Sequence, residues 1–152
     1  SGQRGPQGDG TQSVEIGFHT ATLCWTALTN KGQDMSTFDH SGLIQDINES
    51  LAPFRKAQPD AMAGFGQLAR AAITDGVLSA RQKELIALAI GVTQRCSGCI
   101  GFHIKALHKL ECTRAELEEM LSVCVYMGGG PALMYAAEAI TAWEKMTPVK
   151  PG

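Results

Sequence analysis

Two helical runs separated by a break constrain this chain more than any other feature of its sequence. The first run ends near Gly91, the second begins near Ser97, and the turn between them centres just after Thr93. If the runs fold back on each other, this centre is midway in sequence between Glu84 and His103. A hairpin therefore brings this acid beside this histidine, whereas an unbroken helix would hold them roughly 28 Å apart.

A Cys-x-x-Cys pair lies at the expected start of the second helix. Cys96 and Cys99 are about one turn apart, and His103 follows Cys99 by four residues, so Cys99 and His103 share a helix face. A helix N-terminus favours negative charge, and a neighbouring histidine can accept the thiol proton. Once one sulfur is oxidised, the other can close a disulfide. Acid, histidine and vicinal thiols together predict a redox site.

The same stretch resembles a known family. The shared motifs are the run KELIALA that starts at Lys83, the pattern Cys96-x-x-Cys99-x-x-x-His103, and the glycine-rich run 127–132. They are similar to the carboxymuconolactone decarboxylase family, in its alkylhydroperoxidase D-like branch, over roughly residues 54–143. Glu-x11-Cys-x-x-Cys-x-x-x-His is a specific pattern, whereas the glycine run alone is a weak one.

The resemblance implies an all-helical homo-oligomer, a trimer or a hexamer, that reduces hydroperoxides without a metal or an organic cofactor. By resemblance, Cys99 is the peroxidatic thiol, Cys96 the resolving thiol, and Glu84 and His103 form the proton relay. The implied partners are a small hydroperoxide and a dithiol reductant. One departure from the branch stands out, because Gly98 occupies the position of a second histidine and leaves the relay one member short.

The remaining sequence predicts an all-α fold, a single domain of about six helices from Ser41 to Met146 built around the hairpin. Ser79-x-x-Gln82 and Thr113-x-x-Glu116 are capping boxes that open two of the helices. The glycine run is expected to break the chain between the last two, and no segment is typical of a strand.

The two helices that precede the hairpin carry more specific predictions. The first is expected over residues 41–52, ended by Pro53, and the second over residues 59–74. The second helix should turn its apolar stripe towards the core, with these residues inward: Met62, Phe65, Leu68, Ala69, Ala72 and Ile73.

The N-terminal residues differ in composition from the rest of the chain. Residues 1–13 are rich in Gly and Gln, and Met35 followed by Ser-Thr-Phe-Asp resembles a natural translation start. We therefore expect residues 1–34 to form a poorly ordered tail, with expression-derived sequence as one interpretation, and residues 35–152 to form the alkylhydroperoxidase D-like helical domain.

The composition of the chain limits the classes of binding partner and the cellular compartment that are expected. The 152 residues carry a formal charge of −2 with no basic block, which gives no support for nucleic-acid binding. No apolar run approaches the ~20 residues of a membrane span. Five cysteines form no regular disulfide framework, so a reducing, cytoplasmic setting is expected. Residues 85–90 and 121–127 are apolar almost all round, which predicts contact between subunits.

Alternatives to a peroxidase remain open at this level. A lyase acting on a small carboxylated lactone, or a non-enzymatic redox-sensing oligomer, would suit the same family, although the lyases do not depend on a cysteine pair. A structural zinc site would usually need four ligands. Four other residues receive no chemical role: His40 and His19 in undefined regions, and Cys112 and Cys124 as packing residues. His108 is expected to lie at a solvated helix end.

Overall fold

A computed structural model describes residues 38–147 of the chain, and within that range the fold is all-α with no strand. The five helices are α1 (His40–Ala57), α2 (Pro59–Ile73), α3 (Ala80–Thr93), α4 (Ser97–Lys109) and α5 (Arg114–Met146). The all-α prediction is confirmed. The prediction of a poorly ordered tail over residues 1–34 lies outside the described residues.

The last helix is two helical segments in one. Gly129 has φ 64° and ψ −154°, which is not helical and is a backbone conformation that only glycine adopts easily. Gly128 is equally constrained, because a β-carbon there would lie 2.6 Å from Cβ of Ala132. The expected break at the glycine run is therefore present, and counting α5 as two segments gives the six helices predicted.

Both predicted capping boxes are formed. The Ser79 hydroxyl accepts a hydrogen bond from the backbone N–H of Gln82 at 3.2 Å. The side-chain oxygen of Gln82 accepts one from the backbone N–H of Ser79 at 2.8 Å. Thr113 and Glu116 make the same reciprocal pair at 3.2 and 2.7 Å. Each cap satisfies backbone donors that the first helical turn leaves unpaired, so the starts of α3 and α5 are defined locally.

The predicted end of the first helix at Pro53 is wrong, because α1 continues through Pro53 to Ala57. A proline removes one amide donor, but this part of α1 is exposed, so water can serve the carbonyl that loses its partner. The Arg55 guanidinium also spans the proline turn, donating to the carbonyl and side-chain oxygens of Asn48 at 3.1 and 2.9 Å.

The core lies between α3, α4 and α5. Its fully buried side chains come from all three helices and include Leu88, Val92, Ile100, Ile104, Leu107 and Leu117. Each of these contributes on the order of 1.5–3 kcal/mol through removal of apolar surface from water. Helix α1 packs on α4, where Ile44 fits against Gly101 with its Cδ1 3.0 Å from the position of an added β-carbon.

The inward orientation predicted for α2 is wrong for the single chain, because α2 has no buried residue. Phe65 and Leu68 are 68% and 66% exposed. The apolar stripe was correctly recognised in the sequence, but the other elements among residues 38–147 leave most of it uncovered, and only Met62 and Ile73 are half-buried. Other large apolar side chains are exposed on α3 and α5, namely Ile86, Ile90, Val123, Tyr126 and Met127.

Helix α5 is long and apolar enough, by length and composition alone, to cross a membrane, with a mean hydropathy of 1.3 over its most apolar window. No such run is evident in the sequence because glycine and serine interrupt it, although they lower the average hydropathy of the window little. A single helix of this kind is weak evidence, since helices of soluble proteins pass the same test. Only 22% of the window is buried, so much of it belongs to the exposed apolar surface.

Candidate active site

The predicted hairpin is formed by α3 and α4. Helix α3 ends at Thr93, and the Cys96 amide donates to the carbonyl of Gly91 at 3.0 Å as the chain turns back. Gly91 also allows the close approach of the two helices, because a β-carbon there would lie 3.1 Å from Cβ of Cys99. The turn requires a left-handed conformation at Arg95, with φ 60°. The hairpin thus sets the cysteine pair directly against α3.

Cys96 and Cys99 are joined by a disulfide at the start of α4. Cys96 is the N-cap residue, and its sulfur accepts a hydrogen bond from the Cys99 amide at 3.2 Å. The predicted location of the pair at a helix N-terminus is confirmed. The hydrogen bond at the helix start is accepted by the Cys96 sulfur, while His103 lies on the helix face of Cys99 and lines the same cavity as both cysteines.

Glu84 and His103 meet across the hairpin as the sequence predicts. Oε2 of Glu84 lies 2.6 Å from Nδ1 of His103, although 19 residues separate them in the chain. The Glu84 side chain is 10% exposed and that of His103 is 30% exposed. An ionised Glu84 carboxylate can only accept, and it therefore pairs with a His103 ring that carries a proton on Nδ1. The burial of Glu84 favours a chemical role over an ordinary helix-start acid.

A cavity of about 260 Å³ contains the disulfide and the histidine. We call it the dithiol cavity, and define it by its lining residues: Ala87, Ile90, Gly91, Gln94, Cys96, Cys99 and His103. Three of the four predicted site residues therefore share one space. The fourth, Glu84, stands behind His103 and lines a separate open cleft with Arg70.

Gly98, between the two cysteines, faces α1 instead of the dithiol cavity. A β-carbon at this position would lie 2.9 Å from Cδ1 of Ile47. Gly98 and Gly101 are on one face of α4, and Cys99 and His103 are nearly opposite at 100° per residue. The space next to Gly98 is therefore occupied by an apolar side chain of α1.

The two other cysteines among residues 38–147, Cys112 and Cys124, are buried and free. Burial and the neighbouring Glu116 carboxylate raise the pKa of the Cys112 thiol to about 11. Burial also raises the pKa of the Cys124 thiol. Both thiols stay protonated at neutral pH, which agrees with the packing role expected from the sequence.

Two histidines have packing partners that were not expected from the sequence, and the solvated helix end expected for His108 is wrong. His40, given no role, is 1% exposed and its Nε2 lies 3.0 Å from Oε1 of Glu138, while its Nδ1 has no partner. His108, expected at a solvated end, lies with Nε2 3.1 Å from the Trp143 carbonyl oxygen and its ring against the indole. One signal for the first pair was available, because Glu138 is the only charged residue between Glu119 and Glu144.

The part of the chain that the structure describes contains no set of ligands for a zinc ion. No group of three or more His, Cys, Asp or Glu side chains is arranged there to hold a metal ion. The residues around the sulfurs in the dithiol cavity are apolar or amide side chains, apart from His103.

Comparison with known proteins identifies the family. The model of the carboxymuconolactone decarboxylase family matches residues 59–142, which is more than half of the chain. The chain belongs to this family. The matched segment contains the whole α3–α4 hairpin with Glu84, Cys96, Cys99 and His103, whereas α1 precedes it.

Proteins similar to this chain include one with a crystal structure and two that are uncharacterized. The crystal structure of an apo family protein from Legionella pneumophila is 53% identical, with a TM-score of 0.70, over 72% of this chain and 97% of the other. An uncharacterized protein of Cupriavidus necator is 37% identical over 72% of this chain and 97% of its own length. An uncharacterized protein of Haemophilus influenzae is 32% identical over 64% of this chain and 87% of its own length.

Proposed function

We propose that the protein is a thiol-dependent peroxidase that reduces a small hydroperoxide through Cys99 and Cys96. The observation that carries the proposal is the 2.6 Å contact between Glu84 and His103 next to a cavity that contains both sulfurs. A buried carboxylate that orients a histidine beside a thiol is an arrangement suited to activating a nucleophile.

The chemistry balances with these groups alone and an external dithiol. Nε2 of His103 accepts the Cys99 thiol proton, and the thiolate attacks the terminal oxygen of the hydroperoxide. The O–O bond breaks, the alkoxide takes the proton back from the imidazolium as the alcohol leaves, and Cys99 becomes a sulfenic acid. The Cys96 thiol then attacks this sulfur, which forms the disulfide and releases water. A dithiol reductant returns both cysteines to thiols and is itself oxidised to a disulfide.

The dithiol cavity favours a small organic hydroperoxide as the substrate. Its volume is about 260 Å³, and Ala87 and Ile90 give it an apolar wall. Gln94 supplies a side-chain amide there that can hydrogen-bond a peroxide or alcohol oxygen.

A lyase acting on a carboxylated lactone is the second candidate, and the same cavity argues against it. Such a substrate needs a cation to hold its carboxylate, and among residues 38–147 no Lys or Arg lines the dithiol cavity. A redox sensor without turnover is the third candidate. It shares the disulfide with the peroxidase, so only catalytic consumption of peroxide separates the two.

We also propose that the working protein is a homo-oligomer, a trimer or a hexamer, in a reducing, cytoplasmic compartment. The uncovered stripe of α2 supports self-association, because Phe65 and Leu68 are more than half exposed in the single chain. Two buried free thiols support a reducing compartment. A monomeric mass by light scattering at micromolar concentration would contradict the oligomer.

The test of function is a peroxide consumption assay with several dithiol reductants. We expect turnover with the parent protein, none with Cys99→Ser, and slower turnover with Cys96→Ser, because the external dithiol must then resolve the sulfenic acid in place of Cys96. Cys112→Ser is the matched control and should keep full turnover, since that thiol is protonated at neutral pH. Oxidation of the dithiol by peroxide without repeated turnover would favour a redox sensor over a peroxidase.

A further inference from the structure

The residue before Cys96 combines a left-handed backbone with a charged side chain. Arg95 has φ 60°, a conformation that glycine adopts readily and other residues rarely. The turn holds it there, because the Arg95 amide donates to the carbonyl of Val92 at 3.1 Å and the Cys96 amide to that of Gly91 at 3.0 Å. Glycine would suit this backbone better, so the arginine side chain has a role other than local folding.

The guanidinium of Arg95 is not committed to the fold. Arg95 is exposed, and among residues 38–147 its side chain makes no hydrogen bond or ion pair. Arg81 and Arg114, by contrast, are paired with glutamates of α5. The two sequence neighbours of Arg95, Gln94 and Cys96, both line the dithiol cavity. Arg95 therefore holds an unpaired positive charge at the edge of the cavity.

The hairpin around the disulfide is cationic although the whole chain is not. Between Glu84 and Glu111 the sequence contains no acidic residue, whereas the chain has a formal charge of −2. The same stretch contains three basic residues: Arg95, Lys105 and Lys109. Glu84 itself is buried and committed to the histidine. An anion that approaches the disulfide therefore meets positive charge, with no exposed carboxylate of the hairpin to repel it.

The turn that carries Arg95 is not one of the surfaces that the proposed oligomer would cover. Residues 93–98 are Thr, Gln, Arg, Cys, Ser and Gly, so the turn has none of the large apolar side chains that are exposed on α2, α3 and α5. A reductant must also reach the sulfurs in the working assembly, because each proposed catalytic cycle ends with the disulfide. The edge of the dithiol cavity next to Arg95 therefore stays open in the oligomer.

We propose that Arg95 selects the reductant of this disulfide, and that the reductant is a small thiol or dithiol with an acidic group close to its sulfur. The proposal rests on the thiol chemistry of the proposed function and names the class of its electron donor. A small molecule fits because both cysteines are half-buried and line a cavity of about 260 Å³. The guanidinium can bind a carboxylate or a sulfonate through two parallel N–H donors, which holds the thiolate of the same molecule near Cys96.

The exchange balances in two steps. The reductant thiolate attacks the Cys96 sulfur, a new S–S bond forms, and the bond between Cys96 and Cys99 breaks. Cys99 leaves as a thiolate and takes up a proton on the helix face that it shares with His103. A second thiol, or the other sulfur of a dithiol, then attacks the reductant sulfur of this mixed disulfide, and Cys96 leaves as a thiolate that is protonated in turn. The reductant loses two electrons and two protons, and the two cysteines gain them.

Three thiols that share a two-carbon chain test the selection. Mercaptoethanesulfonate is an anion, mercaptoethanol is neutral and cysteamine is a cation. The oxidised full-length chain, in a Cys24→Ser background, is mixed with an excess of each thiol at pH 8 and low ionic strength without peroxide. Mass spectrometry of acid-quenched samples gives the rate at which the disulfide opens. Division of each variant's rate by that of the parent removes the intrinsic reactivity of the thiol.

The measured quantity is the ratio of the rate with the anionic thiol to the rate with the cationic one. Arg95→Gln should lower this ratio about five- to tenfold, and Arg95→Lys should keep most of it. Added salt should lower the ratio of the parent towards that of Arg95→Gln. An unchanged ratio in Arg95→Gln would overturn the selection of an anionic reductant.

Lys105→Gln is the matched control, because it removes one positive charge from the same hairpin. Lys105 is also exposed, but it lies nine residues along the chain from Cys96, roughly 14 Å along α4. The ratio should stay within about twofold of the parent value, since this separation exceeds the screening length in physiological salt. A fall as large as that in Arg95→Gln would show that net charge, not Arg95, sets the preference.

Arg95→Gly separates the side chain from the backbone. It should lower the ratio as Arg95→Gln does, and it should raise the urea midpoint of unfolding or leave it unchanged, because glycine relaxes the left-handed residue. A lower urea midpoint with an unchanged ratio would show that the arginine serves the fold and would overturn the proposal.

The assay also distinguishes this proposal from the proposed function, because it contains no peroxide. A protein that prefers the anionic thiol through Arg95 but does not consume peroxide keeps the role of Arg95 and loses the peroxidase. Peroxide turnover together with the same thiol preference in the parent and Arg95→Gln keeps the peroxidase and loses the role of Arg95.

Discussion

Ile47 of α1 occupies the space next to Gly98 of α4, with its Cδ1 atom 2.9 Å from where a β-carbon of residue 98 would lie. The branch that this sequence resembles has a second histidine at the position of Gly98. The glycine at position 98 and the packing of α1 are therefore linked, since an imidazole and Ile47 cannot both fill this space.

The first prediction concerns this exclusion. We expect Gly98→His to lower the free energy of unfolding by about 1–3 kcal/mol, because the ring is forced against Ile47. In an Ile47→Ala background the same substitution should cost much less. Urea unfolding of the two single variants and the double variant gives the coupling energy, and additive effects would show that the two positions do not compete for space.

The second prediction assigns the roles of the cysteines. We expect iodoacetamide to label Cys99 before Cys96 in the reduced protein at mildly acidic pH, because His103 lies on the helix face of Cys99. The hydrogen bond that Cys96 receives from the Cys99 amide works in the opposite direction. Peptide mapping of partly labelled protein decides between them, and earlier labelling of Cys96 would reverse the proposed roles.

The third prediction is that Glu84→Gln slows Cys99 alkylation at neutral pH about tenfold or more without changing the fold. Glutamine keeps a hydrogen bond to Nδ1 of His103 but carries no charge to stabilise the imidazolium. The measurement is the alkylation rate against pH in both proteins, with circular dichroism as the control for folding. Superimposable curves would exclude Glu84 from thiol activation.

The fourth prediction is a loss of stability at alkaline pH. The Cys112 thiol has its pKa raised from 9.0 to about 11 by burial and by Glu116. Its contribution is fully present below pH 9 and is lost as the pH rises towards 11, because the folded state holds the proton more tightly. We expect the free energy of unfolding to fall by about 2 kcal/mol less in Cys112→Ala than in the parent between pH 8.5 and 11. Equal losses in the two proteins would contradict this.

The fifth prediction concerns the buried pair of His40 and Glu138. We expect His40→Ala to lower the free energy of unfolding by about 3–5 kcal/mol, because it leaves the buried Glu138 carboxylate without its partner. His40→Phe combined with Glu138→Leu should cost less than His40→Ala alone, since no charge is then stranded. Urea unfolding measures both, and a larger loss in the double variant would show that the pair itself, not the stranded charge, provides the stability.

Local signals in the sequence were sufficient for the hairpin and its chemistry. The break after Thr93 predicts the pairing of Glu84 with His103 because the turn is midway in sequence between them. The spacing of four residues places Cys99 and His103 on one helix face. The caps at Ser79 and Thr113 depend on residues three positions apart, so they too could be recognised without knowledge of the fold.

What the sequence did not predict depends on partners far along the chain or outside it. His40 finds Glu138 across 98 residues, and nothing around His40 indicates that contact. The contact of Ile47 with Gly98 likewise needs the docking of α1. The stripe of α2 reads as a core face because apolar periodicity does not say which molecule covers it. At Pro53, local propensity predicted a stop that exposure and Arg55 override.

The contact of His40 with Glu138 holds the start of α1 against the last part of α5. Lys145, near the end of α5, donates from Nζ to the carbonyl of Phe38 at 3.0 Å, so the two ends of the domain are side by side. Neighbouring ends make a domain suitable for circular permutation. A short peptide that links residue 147 to residue 38, with new termini opened in the exposed loop around Gly76, would leave the α3–α4 hairpin uncut.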